Sequence, residues 1–235
     1  MKRNLLFGTL ALLAGSLLAA NAAPKDDVTA AAKALAGKEN YAWKQTTENA
    51  GGGGFGGGAS EGKTEKDGYL WLSRTMRDNT IEAVKKGDKG AIKTQDGWQS
   101  LSEATSGDPG PATFIARMVQ NFKAPAAQAE ELAGKVKELK KDGDVYSGEL
   151  TEEGAKSQLT FGGRGGANAP EVSGAKGSVK FWVKDGVLSK YEIKVQGKVS
   201  FNGNDRDVDR TTKVEIKDIG STKITVPEDA QKKLS

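Results

Sequence analysis

The chain has 235 residues, of which 36% are hydrophobic and 6% aromatic, with 35 basic side chains against 31 acidic ones and neither cysteine nor histidine. Without cysteine there are no disulfide staples, thiolate metal sites or cysteine nucleophiles; without histidine there are no Ser-His-Asp triads, imidazole acid–base pairs or ordinary zinc centres. Chemistry is left to carboxylates, lysines, hydroxyls and the backbone, on a length that suits one cored domain of about 200 residues.

Lys2 and Arg3 give a positive start, residues 5–20 are apolar and uncharged, and Ala20-Asn21-Ala22 supplies small residues at peptidase spacing. This pattern predicts a signal peptide over residues 1–22, cleaved near Ala22, and hence a periplasmic or secreted protein. The apolar run of about 16 residues is shorter than the roughly 20 a spanning helix needs. Removing Lys2 and Arg3 leaves 33 basic against 31 acidic residues, about +2. That near balance argues against a nucleic-acid partner.

Val28, Ala31, Ala32 and Leu35 recur at helical spacing ahead of Gly37, predicting a short helix over 26–36. Residues 40–48 alternate, with Tyr41, Trp43 and Gln45 on one face, and read as a strand. Seven glycines around Phe55 make 51–58 a loop. Residues 60–66, 69–76, 80–86 and 91–94 read as short strands of an antiparallel meander, separated by turn pairs such as Asp67-Gly68 and Asp96-Gly97.

The middle, about 107–141, reads as a helical insertion. Phe114, Ile115, Met118, Val119 and Phe122 predict an amphipathic helix over 112–123. Leu132, Val136 and Leu139 predict a second over 126–140. Strands then return at 144–150, followed by a short helix over 151–159 and a second glycine-rich loop over 162–177. Val179, Phe181 and Val183 alternate with lysines, and Asp185-Gly186 turns the chain. Ser189, Tyr191, Ile193, Val195, Val199 and Phe201 then share one face, with Lys190, Glu192, Lys194, Gln196 and Lys198 on the other. Val208, Thr212, Val214 and Ile216 alternate again, and Ile224 and Val226 are expected to end the sheet.

Strands with one apolar and one charged face make a sheet wet on one side. The apolar face needs a cover, and the helices on offer are 26–36, 112–123 and 126–140. The expected fold is therefore α+β: a curled antiparallel sheet, an open half-barrel, with helices covering its concave face. An imperfect cover of that kind leaves space for an apolar ligand.

This order of elements, with the stretches 179–195 (VKFWVKDGVLSKYEIKV), 214–219 (VEIKDI) and 224–234 (ITVPEDAQKKL), resembles the bacterial lipoprotein carriers of the LolA/LolB type and the related LppX/LprG-like lipid-binding half-barrels. The resemblance implies a single half-barrel domain over 23–235 around an apolar cavity for acyl chains. It implies a non-catalytic carrier for a lipid or acylated protein, working with a membrane-bound donor or acceptor, without a cofactor, and as a monomer.

The candidate ligand-binding residues are Trp43, Trp71, Phe114, Ile115, Met118, Val119, Phe122, Phe181, Tyr191, Ile193 and Val195, with the helix around Met118 as the lid. Methionine and phenylalanine adapt to irregular chains. The same stripe also suits ordinary core packing, and a fully packed envelope scaffold with no ligand is the alternative function. Asn204 to Asp209 carries alternating carboxylates that suit either calcium or a solvated hairpin tip. The glycine clusters lack the Gly-Lys-Ser/Thr of a phosphate loop. Glu130-Glu131 and Glu152-Glu153 are adjacent rather than facing, so no acid–base pair is found. The lysine stripe Lys180, Lys184, Lys190, Lys194 and Lys198 suits anionic headgroups or an acidic partner, or solubility alone.

Overall fold

Period-two patterning builds most of the molecule, seen in a computed structural model that describes residues 23–50, 58–76, 79–106, 110–160, 170–201 and 203–234. Helix α1 (Pro24–Ala36) places proline in its first turn, where the missing N–H is not needed, and Asp26 and Asp27 at the positive end of the helix dipole. It buries Val28, Ala31, Ala32 and Leu35, as the spacing predicts. Strands β1 (Asn40–Asn49), β2 (Gly58–Glu65), β3 (Tyr69–Met76), β4 (Asn79–Lys86), β5 (Lys89–Thr94) and β6 (Gly97–Ser100) follow as a meander. Helices α2 (Leu101–Ser106), α3 (Pro111–Gln120) and α4 (Pro125–Gly134) come next. The remaining elements are β7 (Lys140–Asp142), β8 (Val145–Glu149), α5 (Glu152–Leu159), β9 (Glu171–Lys184), β10 (Val187–Phe201), β11 (Asn204–Lys217) and α6 (Glu228–Lys233).

All eleven strands join one sheet in the order β6-β5-β4-β3-β2-β1-β11-β10-β9-β8-β7. Two meanders meet at a seam where β1 pairs antiparallel with β11, from Ala42 opposite Lys217 to Asn49 opposite Arg210. The sheet does not close, and β6 and β7 are its edges. The expected α+β class with an open, curled antiparallel sheet is what the chain adopts. On the concave face α1 packs against α4 and over β9 and β10, α5 covers the same two strands, and α3 lies against β5. Helix α6 packs on β5 and β6, where Ala230, Ala91 and Val84 are buried apart from the main core. Ala91 and Val84 oppose each other on the face that Ile92 and Ala83 turn away from, so this last helix caps the convex side.

Several boundaries differ from the sequence reading. The second inserted helix ends at Gly134 rather than 140. Val136 instead bridges Leu150, and the Lys137 N–H donates to the Glu149 carbonyl at 2.9 Å. Val136 and Leu139 are buried all the same, because the spacing that suits a helix also suits this bend. The glycine-rich loop read to 177 gives way to strand at Glu171. Gly174, at φ +62°, takes up the register shift opposite Gln196 and Lys198. Ile224 and Val226 end no strand: the chain leaves the sheet at Lys217, turning through Asp218 and Gly220 at φ 50° and 82°. The signal-peptide reading of 1–22 and the loop reading of 51–57 lie outside the described residues, as does 161–169 of the second loop.

Candidate functional site

The concave face is built row by row from the pairing register. One row runs from Ile216 through Trp43, Gly62, Leu72 and Ala83 to Ile92. The next runs from Tyr146, Phe181 and Tyr191 to Val214, then through Gln45 and Ser60 to Arg74. Below it lie Val179, Ile193, Thr212 and Thr47, and then Val195, Arg210 and Asn49. The face is therefore apolar along β8–β10, whereas across β11, β1, β2 and β3 an apolar row lies beside polar ones.

The apolar part is sealed. Phe181 and Tyr191 have no exposed surface, and their rings lie 6.4 Å apart. The Tyr191 hydroxyl donates to Gln128 Oε1 of α4 at 2.5 Å. Burial pushes this hydroxyl far above the usual tyrosine range and pushes that of Tyr41 up to about 12. At the rim, the Tyr146 hydroxyl (2.8 Å) and the Lys141 ammonium (3.2 Å) both donate to Asp27 of α1. These bonds, that of Tyr146 first, hold the Asp27 carboxyl below its ordinary value.

The other part is more open. Helix α3 buries Thr113, Ala116 and Val119, while Phe114 is 49% exposed and Ile115, Met118 and Phe122 are half-buried. Phe122, just past its end, stacks on Trp43 with centroids 6.0 Å apart and planes 13° apart. Gly62 makes this possible, because the Trp43 ring occupies the space a Cβ there would take. The Arg74 guanidinium donates to Met118 Sδ at 3.5 Å, and that of Arg210 to the Gln158 carbonyl at the end of α5. Burial lowers the pKa of both arginines; that of Arg210 falls to about 10, with the charge of Arg74 contributing.

Of the predicted residues, Trp43, Val119, Phe181, Tyr191, Ile193 and Val195 belong to the buried core, and Ile115, Met118 and Phe122 pack against it. Two do not join them. Trp71 lies on the convex face, paired with Val84 and Lys63, and the Lys63 ammonium sits 5.6 Å from its ring. Phe114 points away from the sheet, because α3 turns its small residues inward and leaves its largest outside. The sequence reading missed Arg74 and Arg210. Their signal is one of phase: Arg74 is in step with Leu70 and Leu72, and Arg210 with Val208, Thr212 and Val214.

The acidic stretch of β11 is engaged by its neighbour: Asp205 pairs with Lys198 at 3.7 Å, and Asp209 accepts from Gln196 at 2.7 Å. Among the described residues no three carboxylates gather as a metal site would need. The lysine stripe is on the outer face, where the Lys190 ammonium lies 4.8 Å from the Trp182 ring. No described helix is long and apolar enough to cross a membrane.

No family model and no curated protein matches the chain. Among solved structures it is similar to LprF from Mycobacterium bovis, at 13% identity over 88% of this chain and 97% of that one, with a TM-score of 0.46. It is also similar to the Mycobacterium tuberculosis lipoprotein LppX, at 12% identity over 87% and 98%, with a TM-score of 0.48. A LolA superfamily protein from Nitrosomonas europaea is similar at 9% identity over 87% and 96%, with a TM-score of 0.35.

Proposed function

We propose that this chain is an exported, non-catalytic carrier that holds the acyl chains of a lipid or acylated protein between its concave sheet face and helix α3. The observation that carries this reading is the imbalance of α3. It presents Phe114, Ile115, Met118 and Phe122 incompletely buried, while smaller residues make its packed face. A helix apolar on more sides than it buries has a surface to spare for an apolar guest. Covering it would contribute roughly 0.8 kcal/mol for each methylene withdrawn from water. In this reading residues 23–235 form one domain, acting as a monomer between a membrane-bound donor and acceptor, and residues 1–22 direct export.

The guest enters by displacement of α3 from β3 and β5, since the β9–β10 side is fully packed. Gentle purification followed by mass spectrometry tests the proposal. Lipid that co-purifies, together with uptake of a fluorescent diacyl lipid, is the expected result; neither would appear if the chain carries nothing. A second reading, an envelope scaffold with a solid core, is favoured by one observation, the complete burial of Phe181, Leu188 and Tyr191. It predicts binding of a protein partner with no lipid present.

A further inference from the structure

The outer face of β9 and β10 differs from the rest of the convex side in its charge. The inward positions of these strands hold Val179, Phe181, Tyr191, Ile193 and Val195, so the alternate positions face water. There Lys176, Lys180, Lys184, Lys190, Lys194 and Lys198 stand against two carboxylates, Glu171 and Glu192, with Asp185 at the turn between the strands. Lysines four positions apart on one strand lie roughly 13 Å from each other, and the pairing of the two strands interleaves them. On the other meander the outward signs alternate instead: Lys44 is opposite Glu61, and Lys93 pairs with Glu82 at 2.7 Å. A sheet face needs charge to stay wet, but it does not need one sign.

Contacts within the protein do not account for these lysines. Lys176, Lys180, Lys184 and Lys194 are exposed and make no ion pair with any described residue. Lys198 reaches Asp205 at 3.7 Å, and the Lys190 ammonium lies over the Trp182 ring. Trp182 itself turns outward, half-buried, opposite Val145 of β8. Protection of an open edge, a common duty of lysine in a sheet, does not account for them either. β10 is paired on both sides along its length, and Lys180 and Trp182 lie where β8 covers the flank of β9.

A face of one sign attracts a surface of the other, and the kind of cation indicates which surface. Protein–protein interfaces favour arginine and are depleted in lysine, and β9 and β10 contain no arginine. Lysine is a hydrated point charge on a flexible stem, suited to a fluid layer of phosphates whose positions are not fixed. An amphipathic indole beside such lysines is the side chain that settles between headgroups and acyl chains.

We propose that the outer face of β9 and β10 docks on an anionic lipid bilayer, with its lysines among the headgroups and Trp182 at their level. This goes beyond the carrier reading and does not rest on it. The membrane and an apolar guest are then met by opposite faces of the sheet.

The test is co-sedimentation of the purified protein with vesicles of phosphatidylglycerol and phosphatidylcholine in equal parts, and with vesicles of phosphatidylcholine alone. Binding to the anionic vesicles only is expected, and it should be lost as added salt shortens the reach of the charges. Lys180→Gln/Lys184→Gln/Lys194→Gln should weaken it about a hundredfold, at about fivefold for each lysine near a charged surface. Lys38→Gln/Lys89→Gln/Lys223→Gln removes the same charge from exposed positions elsewhere, and should weaken it by less than about threefold. Equal losses in the two variants would reduce the effect to net charge and overturn the docking face. Equal binding of wild type to both kinds of vesicle would overturn it in favour of an apolar surface, and binding to neither would overturn it outright. Polyglutamate bound more tightly than the anionic vesicles would replace the membrane by an acidic protein. The wild-type comparison of vesicles and salt carries the test even if a variant does not fold.

Discussion

The two halves of the concave face are built from strands of the same sheet and differ in how they are finished. Over β9 and β10, α1 and α4 pack on one another and on a wall of Phe181, Leu188, Tyr191 and Val179, leaving almost nothing exposed. Over β11, β1, β2 and β3 the wall sets a row of Ile216, Trp43 and Leu72 beside threonine, serine, glutamine and arginine, and the nearest helix keeps part of its apolar surface open. The first half supplies stability and the second supplies adaptability. The proposed carrier role would use the two separately, because a region that opens is drawn from the less stable end of a structure.

This division is sharpest at Phe181. Phe181→Ala is expected to cost about 3–5 kcal/mol, the range for a fully buried aromatic, in a urea unfolding curve. A loss under about 1 kcal/mol would show that the sealed half is not the stabilising one. A smaller effect is expected in the second half. Gly62→Ala places a methyl group where the Trp43 ring lies. It should cost about 1–3 kcal/mol through overpacking, with a change in near-ultraviolet dichroism as Trp43 and Phe122 unstack.

Asp27→Asn keeps an acceptor oxygen but removes the negative charge that ties α1 to β7 and β8, and should cost about 1 kcal/mol at neutral pH. The sign with pH follows from the direction of the shift. The Asp27 carboxyl lies below its ordinary 3.8 in the folded protein, so its contribution is full above 3.8 and is lost as pH falls through the lower folded value. Wild type and Asp27→Asn should therefore converge in acid; a difference that persisted there would place the effect elsewhere. The least change in stability, within about 0.5 kcal/mol, is expected for Phe114→Ser, since that ring is already half in water. Lipid uptake should nevertheless fall. Unchanged uptake would remove the exposed face of α3 from the binding surface.

The strands were legible wherever alternation was clean. β3 is where its pattern places it, and Asp185-Gly186, at φ 51° and 72°, makes the turn its residue types favour. Helix α2 left a signal that the composition of 101–106 obscures. Ser100 Oγ accepts from the Glu103 N–H at 3.2 Å, and the Glu103 carboxylate accepts from the Ser100 N–H at 2.9 Å, a reciprocal cap spelled Ser-x-x-Glu. The end of α4 was less accessible, because Leu132, Val136 and Leu139 are equally buried whether the chain continues as helix or bends into a bridge. The direction of α3 was also hidden. Burying Ala116 while exposing Phe114 contradicts hydrophobic ranking, and follows from how α3 lies against β5 rather than from the helix alone. The polar half of the site escaped because arginine in a strand ordinarily marks the wet face; its phase with Leu72 and Val214 is the better guide.

The seam between β1 and β11 has a consequence for biogenesis. β1 forms its hairpin with β2 early in synthesis, but its other edge finds a partner only after nearly the whole sequence has been made. A pairing so remote along the chain is slow to form. Until then β1 offers an unsatisfied row of amides to any passing strand. An escort protein that shields this edge until β11 is made would raise the yield of native molecules, and a tetrapeptide mimic of β11 would lower it.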